Sequence, residues 1–262
     1  MKSSGVPRYS TIRSLATSFV VLAMANFSQP GMAEMIQGEI DHKEVLPPVP
    51  TTLQAGADIN ALGAETVRVE WFPVPEWMAG TWQKAGDLET FQKDFVSGRQ
   101  QKVNFWLNNR VSLSFGHQVD AKNTIWHAEI LPFRADGDRS GSRDRRYVID
   151  MACNRSSPDF VSLRFRTAVV NVDVRGRVAG SRQQEEIVNF TPFTADQMNT
   201  SSSTKTFTGS GQPIYLSDSH TTRQRTDKFK LVDSLNGVDL KQALADFLKN
   251  ANMNDRIPSD VY

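Results

Sequence analysis

The sequence predicts a mostly β protein, an antiparallel β-barrel or sandwich with one amphipathic helix near the C-terminus. Three observations carry that prediction. From about residue 67 apolar and polar residues alternate with period two, which puts one face of each strand on a core and the other in water. The segments between these runs are rich in Gly, Asn, Asp and Ser. One stripe of helical periodicity occurs, close to the end of the chain.

Composition narrows the functional classes. The chain has 262 residues, with 30 Lys+Arg against 29 Asp+Glu and a single cysteine, Cys153. So even a charge balance does not suit a partner held by phosphate attraction, and no nucleic-acid role is expected. One cysteine excludes an intramolecular disulfide framework and a multi-cysteine zinc site. Cys153 is expected to be buried and inert, or else to pair between molecules.

Lys2, Arg8 and Arg13 precede an eleven-residue apolar run from Leu15 to Ala25, followed by Gly31-Met32-Ala33. Charge, apolar core and small-residue cut in that order predict a signal peptide over 1–33, cleaved near Ala33. The expected destination is periplasmic or extracellular. Eleven residues are too few to span ~30 Å of hydrocarbon, which takes about 20, and no transmembrane segment is expected in the mature chain.

Residues 34–66 include Leu46-Pro47-Pro48-Val49-Pro50 and predict a Pro-rich tether. The β-domain is assigned to 67–235. Val103, Phe105 and Leu107, then Val111, Leu113 and Phe115, predict two strands with a turn at 107–110. Val161, Leu163, Phe165 and Thr167 alternate with Ser162, Arg164 and Arg166. Further strands are predicted at 124–131, 147–152, 168–174, 185–190, 205–208 and 229–232. Residues 236–262 form the helix and tail. Asp239 caps the helix, Gln242 completes a capping-box pattern, and Leu240, Ala243, Leu244, Phe247 and Leu248 fall on one face.

Three tryptophans, Trp71, Trp77 and Trp82, crowd twelve residues ahead of and within the first strand region. Gly80-Thr81-Trp82 resembles the Gly-x-Trp signature of the lipocalin-like (calycin) β-barrels. The resemblance implies an up-and-down barrel whose cavity holds a small apolar ligand, with Trp82, admitted by Gly80, as a structural plug at one end. The chain departs from the secreted members in lacking their disulfide.

The loop 134–146 offers Asp136, Asp138, Ser140 and Asp144 at calcium-loop spacing, but Tyr147 stands where the bidentate Glu belongs and five arginines oppose a cation. From 134 to 182 there are eleven Arg and no Lys against six Asp. Arg164, Arg166, Arg145 and Arg146 therefore form a candidate face for an anionic envelope component. His42, His117, His127 and His220 show no spacing that predicts a metal site, and Asp218-Ser219-His220 places hydrolase residue types side by side without making a triad. No cofactor is expected. The reading is an exported, non-catalytic protein binding a small apolar ligand. The alternative is an envelope or extracellular accessory protein that docks an anionic polymer or a protein assembly through its arginines.

Overall fold

The computed structural model describes residues 41–58, 67–135 and 144–259; the predicted signal peptide lies outside them. The strands begin with β1 (Arg68–Val74), β2 (Gly80–Asp94), β3 (Gln100–Phe115) and β4 (Gln118–Val119). β5 (Ile125–Leu131), β6 (Phe133–Arg134), β7 (Asp144–Ser157) and β8 (Phe160–Val172) follow. After β9 (Val178–Thr194), β10 (Gln197–Thr208) and β11 (Pro213–Lys228), a small hairpin of β12 (Ser234–Leu235) and β13 (Val238–Asp239) leads into helix α1 (Leu240–Asn250).

Eight strands form one antiparallel sheet in the order β3-β2-β11-β10-β9-β8-β7-β6, and β1-β5-β4 form a second. Among the described residues no ladder joins β3 to β6, so the barrel is not closed. The sheets are layered instead. Phe72 and Val74 of β1 and Leu131 of β5 pack with Trp82, Val148, Leu163, Phe190 and Met198 of the large sheet. Alternate residues of the same short strands, Trp71, Trp126, Ala128 and Ile130, face the other way onto Leu240, Leu244 and Leu248 of α1. The small sheet is thus apolar on both faces, sandwiched between the large sheet and the helix.

Local chemistry explains the helix. The Asp239 side chain accepts from the Gln242 N–H at 3.0 Å, as expected of an N-cap. The Gln242 side chain does not complete the box; it reaches forward to Asp246 at 3.0 Å. Leu240, Leu244 and Leu248 are buried at the predicted spacing.

Several predicted boundaries differ from the structure: 161–167 and 168–174 merge into β8, and 147–152, 185–190 and 205–208 are parts of the longer β7, β9 and β10. The turn at 107–110 is absent, and β3 runs through it unbroken. The extra residues are absorbed by a shift in register, with Lys84 opposite Val111 and Gly86 opposite Asn108. Residues 229–232 form no strand, whereas 213–228, which lack an apolar alternation, form β11.

The large sheet has two faces, and different things cover them. The core face carries Trp82, Leu163, Val188, Phe190 and Met198. The opposite face, at the other end of the strands, is covered by residues 41–58. Leu46, Val49 and Leu53 of this segment are buried, and Val49 and Leu53 pack on Ala168, Val170 and Val178. Backbone bonds tie it down, from Leu46 N to Gly211 O at 3.0 Å and from Val49 N to Gly209 O at 2.9 Å. The Pro-rich stretch predicted as a tether is here a docked strap, because its apolar residues find a complementary apolar strip on β8 and β9.

Candidate functional site

Beyond its apolar half, the core face turns polar yet stays buried. Register places Lys84, Asp87 and Glu89 of β2 on the same face as Ser219, Thr221 and Arg223 of β11 and as Thr200 and Ser202 of β10. Glu186 of β9, opposite Thr204, continues the row. Lys84, Asp87, Glu89, Thr200, Thr221 and Arg223 are all buried.

Most of these groups satisfy one another. Lys84 Nζ donates to both Asp87 oxygens, at 2.7 and 2.6 Å, and Asn109 Nδ2 donates to Asp87 Oδ2 at 3.2 Å. Ser202 and Ser219 hydroxyls lie 3.1 Å apart. Thr221 Oγ1 donates to the Gly86 carbonyl at 2.6 Å. Arg223 is only partly satisfied. Its Nε donates to Thr200 Oγ1 at 3.2 Å, but Nη1 is buried with no partner among the described residues, in a side chain only 4 % exposed. An unmet buried donor costs about 1–3 kcal/mol, more on a charged group, so such a group calls for an acceptor. Burial pulls the guanidinium below its ordinary range, against the opposing charges of Asp87 and Glu186.

The backbone is irregular at this point. Between His220 and Gln224 the β11–β2 register shifts, and the β2–β3 register shifts between Lys84 and Gly86. Bulges re-aim side chains and occur beside binding sites more often than elsewhere. On the edge strand β3, Phe105 and Leu107 lie opposite Glu89 and Asp87 and remain exposed, giving the polar wall an apolar border. At the far end of the wall burial pushes the Tyr215 hydroxyl up to about 12, helped by Glu89 and Asp94.

Of the four arginines expected to make an anion face, Arg145, Arg164 and Arg166 lie on one side of the sheet and Arg146 on the other. Arg164 and Arg166 point to the strap side and hold the strap. Arg166 Nη2 donates to the carbonyls of Pro47 and Pro48 at 2.8 and 3.2 Å and to Gln183 Oε1 at 2.6 Å, and Arg164 Nη2 donates to the Asp41 carbonyl at 3.1 Å. Arg145 and Arg146, adjacent in β7, fall on opposite faces; Arg146, on the core face, donates to Gln184 Oε1 at 3.2 Å. Of the calcium-loop residues, Asp136, Asp138 and Ser140 lie outside the described residues. Asp144 accepts from Arg182 at 2.7 Å and from Asn171 at 3.2 Å.

Trp82 is 1 % exposed at one end of the apolar half. Its Nε1 donates to the Met78 carbonyl at 2.8 Å, and the Arg225 guanidinium lies 4.2 Å from the ring centroid. Arg225 also donates to the carbonyls of Trp77 and Ala79. At Gly80, φ is +127°, and a Cβ there would meet the Asp227 carbonyl at 2.5 Å, so only glycine lets the chain enter β2 this closely.

The histidines are used in ways their spacing does not announce. His117 and His127 stack with centroids 4.6 Å apart. Each accepts a backbone N–H at Nδ1, from Ala128 at 3.1 Å and Gly116 at 3.3 Å. Burial, reinforced by His127, holds the His117 ring down to about 3. His42, on the strap, lies 3.0 Å by Nδ1 from Glu185 and 2.9 Å by Nε2 from Ser203 Oγ. That order resembles a nucleophile–base–acid relay, but Ser203 gives its hydroxyl proton to Asp218 at 2.6 Å and all of it is buried beneath the strap. Its work is to hold residues 41–43 on the sheet. Burial would raise the Glu185 carboxyl, yet the bonds from His42 and the Lys43 N–H outweigh that and hold it below the usual range. Cys153 is partly buried against the core, which raises its thiol. Among the described residues no cluster could hold a metal ion, and no helix is long and apolar enough to cross a membrane.

Arg223 is the residue the sequence reading missed. Its one sequence signal is Lys84, two residues on from Trp82 where an apolar residue is expected; Asp87 and Glu89 have the opposite parity and join that face only through the register shift between Lys84 and Gly86. Comparison with known proteins finds no matching family model, no matching curated relative and no matching solved structure.

Proposed function

We propose that this is an exported, lipocalin-like, non-catalytic binding protein that holds a small ligand on the polar half of the core face. One observation carries the proposal, the buried Arg223 Nη1 with no acceptor among the described residues. A ligand oxygen supplies what the protein leaves open, and Phe105, Leu107 and Val111 of β3 give the ligand's apolar part a surface. The surrounding groups bind rather than react. The Lys84 ammonium is spent on Asp87, and Thr221 on a backbone carbonyl.

Native mass spectrometry of protein recovered from its own cells tests this. The expected result is a retained small molecule, lost in Leu107→Glu, which puts a charge on the exposed apolar border. Recovery of only the unliganded mass, with no thermal shift from any small molecule, would overturn the reading. N-terminal sequencing tests export separately, with Glu34 expected as the first residue of the exported protein.

A further inference from the structure

We infer that the ligand's recognised end is a neutral, oxygen-bearing head, a polyol or sugar, rather than an anionic one, with Arg223 as its anchor. This rests on the binding reading above and names the ligand class for the same site.

Charge and the inventory of hydrogen-bonding groups decide the class of head. An unpaired guanidinium alone suggests a carboxylate or phosphate. Its neighbours on the core face do not. Lys84, Arg146, Arg182 and Arg223 are matched by Asp87, Glu89, Asp144 and Glu186, so the wall as a whole is electrically balanced. Asp87 and Glu186 lie close enough to Arg223 to act on its charge. An anionic head placed at Nη1 would approach those carboxylates as well, and in a buried setting that repulsion is not screened by water. A cationic head would leave Nη1 unmet. A neutral head escapes both costs. Its oxygen accepts from Arg223, and its own hydroxyls donate to Glu186 and exchange bonds with Thr200, Ser202, Thr204 and Ser219, which share that face. The exposed Phe105 ring at the border offers an apolar platform for the rest of the molecule.

The test uses the full exported chain and three eight-carbon amphiphiles below their micelle-forming concentrations: octyl glucoside, octyl sulfate and octylammonium. Binding is read by calorimetry and by the ¹⁵N shifts of the Arg223 side chain. Octyl glucoside is expected to bind most tightly and to move the Arg223 resonances. Arg223→Lys, which keeps the charge and loses the planar fork, should weaken it about tenfold or more. Should Arg223→Lys not fold, Thr200→Val removes the hydroxyl that orients Nε and should weaken octyl glucoside several-fold. Tighter binding of octyl sulfate than of octyl glucoside overturns the neutral head and leaves the binding reading standing. Failure of all three amphiphiles to bind overturns both. Octyl glucoside binding that leaves the Arg223 resonances unmoved removes Arg223 as the anchor.

Discussion

Two side chains show how single residues set the terms of this fold. Trp82 fills the end of the apolar core and is held by a hydrogen bond through Nε1 and by the face of Arg225. Truncating a fully buried tryptophan removes its transfer energy and leaves a cavity, so Trp82→Ala should cost about 3–5 kcal/mol in chemical denaturation. Arg225→Lys should cost less, about 1–3 kcal/mol, because an ammonium cannot reach the Trp77 and Ala79 carbonyls and cover the ring at once. His117 makes the second case, and its sign is set by burial. In the unfolded chain the ring takes up a proton near pH 6.5, in the folded protein only near 3. Between those values the unfolded state binds the extra proton, so stability rises with pH across the window. The contribution is complete above pH 6.5 and lost as pH falls toward 3, on the order of 5 kcal/mol in all. His117→Gln, which keeps an acceptor for the Ala128 N–H, is expected to flatten the acid limb of the stability curve between pH 3 and 6.5. An unchanged slope there would show that the ring titrates alike in both states.

Among the elements, the strap is the one whose attachment is most specific. His42, Lys43, Leu46, Pro47, Pro48 and Val49 each meet a named partner on the large sheet or its hairpins. The His42 ring bridges Glu185 through Nδ1 and Ser203 through Nε2, while Ser203 gives its own hydroxyl proton to Asp218. Gly211 controls the docking. It holds φ at +94°, and any Cβ there would drive into the Leu46 carbonyl. Gly211→Ala should lift the strap without unfolding the sheets, seen as rapid limited proteolysis within 41–58 while the remainder resists. Equal resistance in variant and parent would show that the strap does not depend on this approach. Elements also show what alternation can and cannot reveal. Odd positions 103–115 of β3 are apolar except Asn109, so the pattern already contained one continuous strand, and Asn108-Asn109-Arg110 hid it by looking like a turn. The core-face residues of β11, Ser219, Thr221, Arg223 and Arg225, are polar because they line the candidate site or grip the Trp82 end. A strand with no apolar face gives period-two reasoning nothing to read, and for the same reason the site itself stayed invisible. The C-terminal helix had no such conflict, and its cap and stripe were legible from residues 239–248.

At the level of the whole molecule, the layers bury the apolar halves of the sheets, and among the described residues the large sheet is left open at β3. That edge strand is sixteen residues long and exposes Phe105 at 56 % and Trp106 at 49 %, beside Leu107. Unpaired backbone along a strand that apolar invites a second copy to add itself. Its charges argue against that outcome. β3 carries no carboxylate, and Lys102 and Arg110 stand four residues to either side of Trp106. If two copies paired antiparallel about Trp106, the register that brings the apolar triplets together, each Lys102 would lie directly opposite an Arg110. Like charges in opposed cross-strand positions destabilise the pair. Lys102→Gln with Arg110→Gln should therefore release self-association, with a concentration-dependent dimer in sedimentation velocity where the parent chain shows none at the same concentration. Adding Trp106→Lys to that double variant should return it to monomer, because it puts a cation at the centre of the new seam. A double variant that sediments like the parent at every concentration would mean that the edge is protected by its twist and bulges, and that its charges serve only solubility.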